Sequence, residues 1–278
     1  MRKYAWRIYI AIVFAILYIP ILTLVVFSFN EGSSTSNFTG ISLRWYKELF
    51  SSPETFTALR NTLILAVLSS VIATIIGTAA AEGIYKMKSK FLRKTVISVS
   101  NIPMMNPEIV TGMSMMLFFV AVAGFLRLEY ESIGFFAMLI AHVTFCLPYV
   151  ILSVLPRINE LGDSLSEAAL DLGCTPLQAF FKVKLPNIMP GVISGLTMAF
   201  TLSLDDFVIS YFVGSSNFQT LPLLIYSMTK KKVTPDMYAL STLIVFAVFI
   251  LLLISNMKKD NGQPKRRGGQ SYLYTKGL

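Results

Sequence analysis

The sequence predicts an all-α, polytopic membrane protein with six transmembrane helices, on two observations. Charged residues make up 14% of the 278 residues, where an ordinary soluble domain carries roughly 25%. Those charges fall between six long uncharged runs, residues 8–29, 61–81, 109–126, 132–156, 185–204 and 237–257. Each run is near the ~20 residues a helix needs to cross a ~30 Å hydrocarbon layer. A helix satisfies its backbone donors and acceptors within the segment, which lipid cannot do for it. This composition excludes a secreted disulfide scaffold, a nucleic-acid module and a Rossmann-type enzyme.

The elements can be justified in chain order. Arg2, Lys3 and Arg7 precede the first apolar run, as they would in a signal peptide. The run is about 22 residues long and lacks a small-x-small cleavage pattern before Asn30, so a retained helix is expected. Residues 30–59 form a long outer loop whose stretch 43–50, Leu-Arg-Trp-Tyr-Lys-Glu-Leu-Phe, has the period of a small external helix. The third apolar region, 95–126, is longer than one straight span, and Pro103 and Pro107 are expected to break it. The chain divides into a six-span unit, residues 1–258, and a basic tail, 259–278, expected to be a cytoplasmic surface segment without fixed structure. No internal repeat supports an inverted-repeat carrier.

With six spans both termini lie on one side. That side collects Arg2, Lys3 and Arg7, the group from Lys86 to Lys94, then Arg157, Lys182 and Lys184, and the basic residues from Lys258 to Lys276, which together are 17 of the 24 Lys and Arg residues. The positive-inside rule makes both termini cytoplasmic. Cys146 and Cys174 stand in no metal-binding or redox spacing and are read as packing residues.

The most specific signal is the cytoplasmic segment 157–187, between the fourth and fifth runs. It reads as an amphipathic helix, a glycine turn and a second short helix that Pro186 ends where the next span begins. Its core is Glu167-Ala168-Ala169, three residues, Gly173, nine residues, then Val183-Lys184-Leu185-Pro186. This resembles the EAA loop of ABC importer permeases of the MetI-like superfamily, with Val183 in place of the usual Ile. Further stretches are similar to the PotC-type permeases of spermidine/putrescine importers: Leu17-Tyr18-Ile19-Pro20, Arg60-Asn61-Thr62-Leu63, His142-Val143-Thr144-Phe145, Ser203-Leu204-Asp205-Asp206 and Leu221-Pro222-Leu223-Leu224.

The resemblance implies the type I importer permease fold. It implies that Glu167, Ala168, Ala169, Gly173, Val183, Leu185 and Pro186 seat against a cytoplasmic ATPase and pass its closure to the spans. The partners it implies are a second, PotB-like permease, two PotA-like ATPase subunits that bind ATP and Mg, and an extracytoplasmic PotD-like polyamine-binding protein. The chain itself would hold no cofactor and no metal. It carries no Gly-x-x-x-x-Gly-Lys-Ser/Thr phosphate loop, so ATP hydrolysis falls to another chain.

The substrate pathway is expected at Asp205, Asp206, Glu108, Ser203 and Trp45. Carboxylates inside a membrane cost about 2.5–3.5 kcal/mol each at mid-depth, so they need a cavity or a partner. If the fifth span starts at Pro190, Asp205 and Asp206 stand roughly 22 Å along it. Glu108 follows the broken part of the third, and all three could face one cavity that attracts cations and repels sulfate, phosphate or molybdate. The alternative is that Asp205 and Asp206 close a helix end. His142, the one basic side chain in these runs, is read as hydrogen-bonded to a neighbouring span. Met104-Met105 and Met115-Met116 are read as gap-filling. Trp45 is either an interfacial anchor or a face for a binding protein or an ammonium group. Polyamines are the expected cargo; Fe(III), thiamine or an aminophosphonate is the alternative within the superfamily, and a stand-alone secondary transporter the alternative outside it.

Overall fold

The computed structural model describes residues 2–32, 37–230, 237–246 and 249–250. The expected basic tail and the far part of the sixth run, residues 251–257, lie outside the described residues. In chain order the helices are α1 (Arg2–Phe27), α2 (Arg44–Ser51), α3 (Pro53–Lys86), α4 (Lys90–Met105), α5 (Glu108–Leu126), α6 (Tyr130–Leu161), α7 (Ser164–Asp171), the single turn α8 (Pro176–Gln178), the π-helical segment η1 (Ala179–Lys184), α9 (Leu185–Asp205), α10 (Val208–Val213), α11 (Leu221–Thr229) and α12 (Met237–Phe246). Among the described residues, five helices are long and apolar enough to cross a membrane: Trp6–Phe27, Pro53–Lys86, Glu108–Leu126, Tyr130–Leu161 and Pro176–Asp205.

The core is a three-helix unit of α3, α6 and α9. Apolar burial cannot hold spans together in lipid, so they associate through close backbone approach and hydrogen bonds. The buried face of α3 carries Ala66, Ser69, Ser70, Ala73, Thr74, Gly77, Thr78 and Ala81, a helical-period stripe of small residues. Gly77 meets Val150 of α6, and a Cβ built at Gly77 would lie 2.6 Å from Val150 Cγ1. Gly195 of α9 faces the same valine, and a Cβ built there would lie 3.3 Å from the Val150 Cα. Val150 is therefore the knob around which the three helices close.

Two expectations need correction. Pro103 does not break the third region: it lies inside α4, and the break falls at Asn106 and Pro107, both extended (ψ 145° and 131°). A residue before proline is pushed out of the helical region, and Asn106 takes that conformation. Pro186 does not end a separate short helix either. It stands in the first turn of α9, where a missing N–H is tolerated, and η1 runs into α9 without interruption, the Leu185 N–H reaching back to Phe180 O. The segment Pro176–Asp205 is one continuous helix.

A smaller cluster of Leu49, Ala58, Leu221, Leu224 and Leu240 joins α2, α3, α11 and α12. Two bonds tie the loop before α11 to α3 beside it: Asn61 Nδ2 donates to Gln219 O at 3.2 Å, and the Leu221 N–H to Thr62 Oγ1 at 2.7 Å.

Gly77→Val is expected to destabilise the protein by about 1–3 kcal/mol through overpacking against Val150, whereas Gly83→Ala, with nothing within 4 Å, should leave its melting temperature unchanged or raised. Equal melting temperatures for the two variants in detergent would contradict the close α3–α6 contact.

Candidate functional site

The fold places one polar chain inside the three-helix unit. The Ser69 hydroxyl of α3 donates to Ser203 Oγ of α9 at 2.8 Å. Ser203 Oγ lies 2.8 Å from His142 Nδ1 of α6. On the other side of the ring, His142 Nε2 is 3.5 Å from Asp206 Oδ2 and 3.3 Å from Ser210 Oγ. Ser69, His142, Ser203, Asp206 and Ser210 are all buried. A buried polar group is tolerated where partners satisfy it, and here each member supplies the next.

Asp206 finishes this chain by closing a break. Helix α9 ends at Asp205, residues 206–207 leave the helix, and α10 begins at Val208. The first N–H groups of a new helix have no partner in the preceding turn. Asp206 supplies two acceptors there: Oδ1 to the Ile209 N–H at 3.2 Å and Oδ2 to the Ser210 N–H at 2.8 Å. His142 in turn anchors the carboxylate, so its hydrogen bonds to neighbouring elements are those expected of it.

Asp205, the adjacent residue, points elsewhere. It lines a cavity of about 480 Å³ between α2, α3, the end of α9, α11 and α12. The walls include Phe50, Phe56, Leu63, Leu204, Ile225 and Leu243, and among the described residues Asp205 is the only ionisable one lining it. Neither Asp206 nor Glu108 reaches this cavity, so the three acids do not share one site as expected. Glu108 stands exposed in the first turn of α5, directly after the Asn106–Pro107 break. Counted from Leu185, where α9 starts, Asp205 is about 30 Å along the helix rather than 22 Å.

Trp45 is not an exposed face. It is 7% exposed, and its indole N–H donates to Asn30 O at 2.7 Å. That bond, with the Tyr46 hydroxyl 2.7 Å from Ser28 Oγ, folds α2 back on the end of α1. The ring is buried within the loop and carries Arg44 5.1 Å over its centre, so the cation it meets here belongs to this chain. Of the methionines, Met115 packs against the main core, whereas Met105 is 84% exposed and fills no gap within this chain. Cys146 is buried, its thiol 3.4 Å from Ala199 O.

The second candidate region is the hairpin of α7, α8 and η1. Helix α7 ends in a Schellman turn: the Cys174 N–H bonds Ala169 O at 3.0 Å, the Gly173 N–H bonds Leu170 O at 2.9 Å, and Gly173 takes φ +85°. Thr175 and Gln178 then form a capping box that starts α8. Ala169 is buried against the hairpin, and Glu167 and Ala168 are exposed. Around them Leu172 (87% exposed), Leu177 and Phe181 are left uncovered by this chain. Val183 and Leu185 are half-buried and Pro186 exposed. Sequence reasoning missed Lys184, a buried cation on η1, and Glu82 of α3, its partner at 2.9 Å. The available signal was an acid between Ala81 and Gly83 at the end of the second apolar run.

Comparison with known proteins matches residues 73–265 to the family described as binding-protein-dependent transport system inner membrane component. The putrescine transport system permease protein PotI of Escherichia coli (strain K12) is 40% identical over 251 residues, which cover 90% of this chain and 89% of PotI. The spermidine/putrescine transport system permease protein PotC of Haemophilus influenzae is 36% identical over 262 residues, 94% of this chain and 99% of PotC. Among solved structures, a bacterial ABC transporter involved in import of the acidic polysaccharide alginate aligns with TM-score 0.77 at 18% identity, covering 94% of this chain and 96% of that one. The MetNI methionine ABC transporter aligns with TM-score 0.61 at 21% identity, covering 77% and 100%. At such identities the likeness is one of fold.

Asp206→Asn keeps the side-chain shape but replaces one carboxylate oxygen by a donor, so either the Ser210 or the Ile209 N–H loses its acceptor. A loss of about 1–3 kcal/mol is expected, read as a lower melting temperature of the purified protein. An unchanged melting temperature would show that the carboxylate does not hold the α9–α10 break.

Proposed function

Because the chain belongs to the family of binding-protein-dependent transport system inner membrane components, we propose that it forms, with a second permease, the pathway through which an ATP-driven importer carries polyamines across the inner membrane. The observation that carries the cargo assignment is Asp205, the one carboxylate among the described residues that line a largely apolar cavity. Putrescine and spermidine are ammonium groups joined by methylene chains, and such a surface offers apolar contact to the methylenes and a charge-assisted hydrogen bond to one ammonium. The likeness to permeases named for putrescine and spermidine supports the same cargo. Fold alone does not: a protein of similar fold imports an acidic polysaccharide, so cargo charge has to be argued from the site.

In this reading Asp205 binds the cargo directly, while Ser203 and Asp206 position it by fixing the end of α9. Glu108, exposed beside a proline break, is a second carboxylate along the route. The hairpin around Glu167, Ala168, Ala169 and Gly173 docks on an ATPase subunit, and its uncovered Leu172, Leu177 and Phe181 give that partner an apolar surface. ATP and Mg belong to that subunit, of which the importer would hold two, PotA-like. A PotB-like permease completes the pathway and a PotD-like binding protein delivers the cargo. Both termini would be cytoplasmic, because Lys86, Lys88, Lys90, Arg93, Arg157 and Lys182 gather at the end where the hairpin lies.

Two variants assayed in the assembled importer test this function. Asp205→Asn should lower polyamine transport per assembled complex roughly five-fold or more, the loss of a desolvated charge-assisted hydrogen bond, with assembly unchanged. Gly173→Val, strained at φ +85°, should leave the protein in the membrane and abolish substrate-stimulated ATP hydrolysis. Unchanged transport per complex in the first would detach Asp205 from the cargo; normal stimulation in the second would detach the hairpin from the ATPase.

A further inference from the structure

Lys184 is a buried cation that neither the cargo site nor the hairpin surface uses. Its side chain is 3% exposed, and its ammonium lies 2.9–3.0 Å from both carboxylate oxygens of Glu82 on α3. The same ammonium stands 4.5 Å from the centre of the Tyr85 ring. Glu82 is also paired with Lys86, at 3.0 Å, but that lysine is exposed. Tyr85 gathers a further charge of this corner: Arg93 of α4 lies 5.9 Å over its ring. Arg93 continues to α6 through a 2.7 Å bond to Asn159 Oδ1.

A buried ion pair contributes little net stability compared with a well-packed apolar pair, because desolvating two charges offsets their attraction. What it does provide is fixed geometry between the elements that carry it. Here one partner sits on η1, which packs against α7 on one side and continues into α9 on the other. The other partner sits near the end of α3. The placement at a π-helical segment matters, since such segments are rare and frequently stand at functional sites. Without the tie, a push on α7 would enter α9 through η1 and reach α3 only where α9 packs on it.

Resting on the coupling reading of the hairpin, we propose that Lys184 and Glu82 are positioning residues for energy coupling: the pair makes the second span move together with the hairpin when the ATPase closes. Span two and span five then respond as one body, and the α3–α6–α9 unit reorients rather than shearing. Neither residue lines the cavity at Asp205.

The test uses the complete importer carrying spin labels at Lys182→Cys on η1 and Lys88→Cys just past α3, with Cys174→Ser to remove the partly exposed native thiol. Pulsed EPR compares the label separation in the resting complex and in the complex trapped with ATP and vanadate. The separation should be the same in both states for the otherwise wild-type protein. In Lys184→Met, which leaves Glu82 its pairing with Lys86, it should shift or broaden on trapping, and ATP hydrolysed per cargo molecule should rise roughly five-fold or more, the lower range of couplings between distant sites. The double variant Glu82→Gln/Lys184→Gln restores a neutral hydrogen bond and should recover the fixed separation; it serves as the comparison if Lys184→Met assembles poorly, with Lys184→Gln alone as its unpaired counterpart. A separation that changes in the wild-type protein, or stays fixed in both unpaired variants while ATP is hydrolysed, would overturn the proposal. A complex that contains no ATPase would instead refute the coupling reading beneath it.

Discussion

A helix that breaks inside a membrane must find partners for the N–H groups the break exposes, because lipid offers none. In this protein that requirement is met at Asp206. Its carboxylate takes the Ile209 and Ser210 N–H groups, His142 holds the carboxylate from α6, and Ser203 with Ser69 holds the other face of the ring. The chain ties α3, α6, α9 and α10 together where apolar burial has no strength. It also separates the roles of two adjacent acids: with Asp206 turned inward, Asp205 is left facing the apolar cavity.

The opposite end of the same helices is organised by a second polar cluster. Lys184, Glu82 and Tyr85 join the hairpin to α3, and Arg93 with Asn159 joins α4 to α6. Between the two clusters lies the small-residue contact around Val150. Polar ties at both ends and close packing in the middle would keep the internal register of this unit if it reorients as proposed. A continuous helix from Pro176 to Asp205 links the hairpin directly to the residue proposed to meet the cargo.

The helical spans were legible in the sequence because charge exclusion over about 20 residues is a strong signal that few other structures produce. The hairpin was legible because Gly173 needs positive φ and stands at a fixed distance from Glu167 and Pro186. Other features depended on long-range contacts that local pattern does not carry. Pro103 and Pro107 look equivalent in sequence, but Pro103 is carried inside α4 and the break falls at Asn106 and Pro107. Asp205 and Asp206 look like one acidic pair until the helix break points them apart. Trp45 looked exposed because its partner, the carbonyl of Asn30, is 15 residues away. The Lys184–Glu82 pair spans 102 residues, and no spacing rule connects them.

In the proposed function this permease admits cations through an ATP-driven complex. The most direct measurement is uptake of radiolabelled putrescine into proteoliposomes holding the complete importer and its binding protein, with ATP inside and unlabelled competitors outside. The account predicts ATP-dependent uptake that excess spermidine or putrescine suppresses and that sulfate, phosphate and molybdate leave unchanged. Uptake that proceeds without ATP, or accumulation of a labelled anion in place of putrescine, would contradict it.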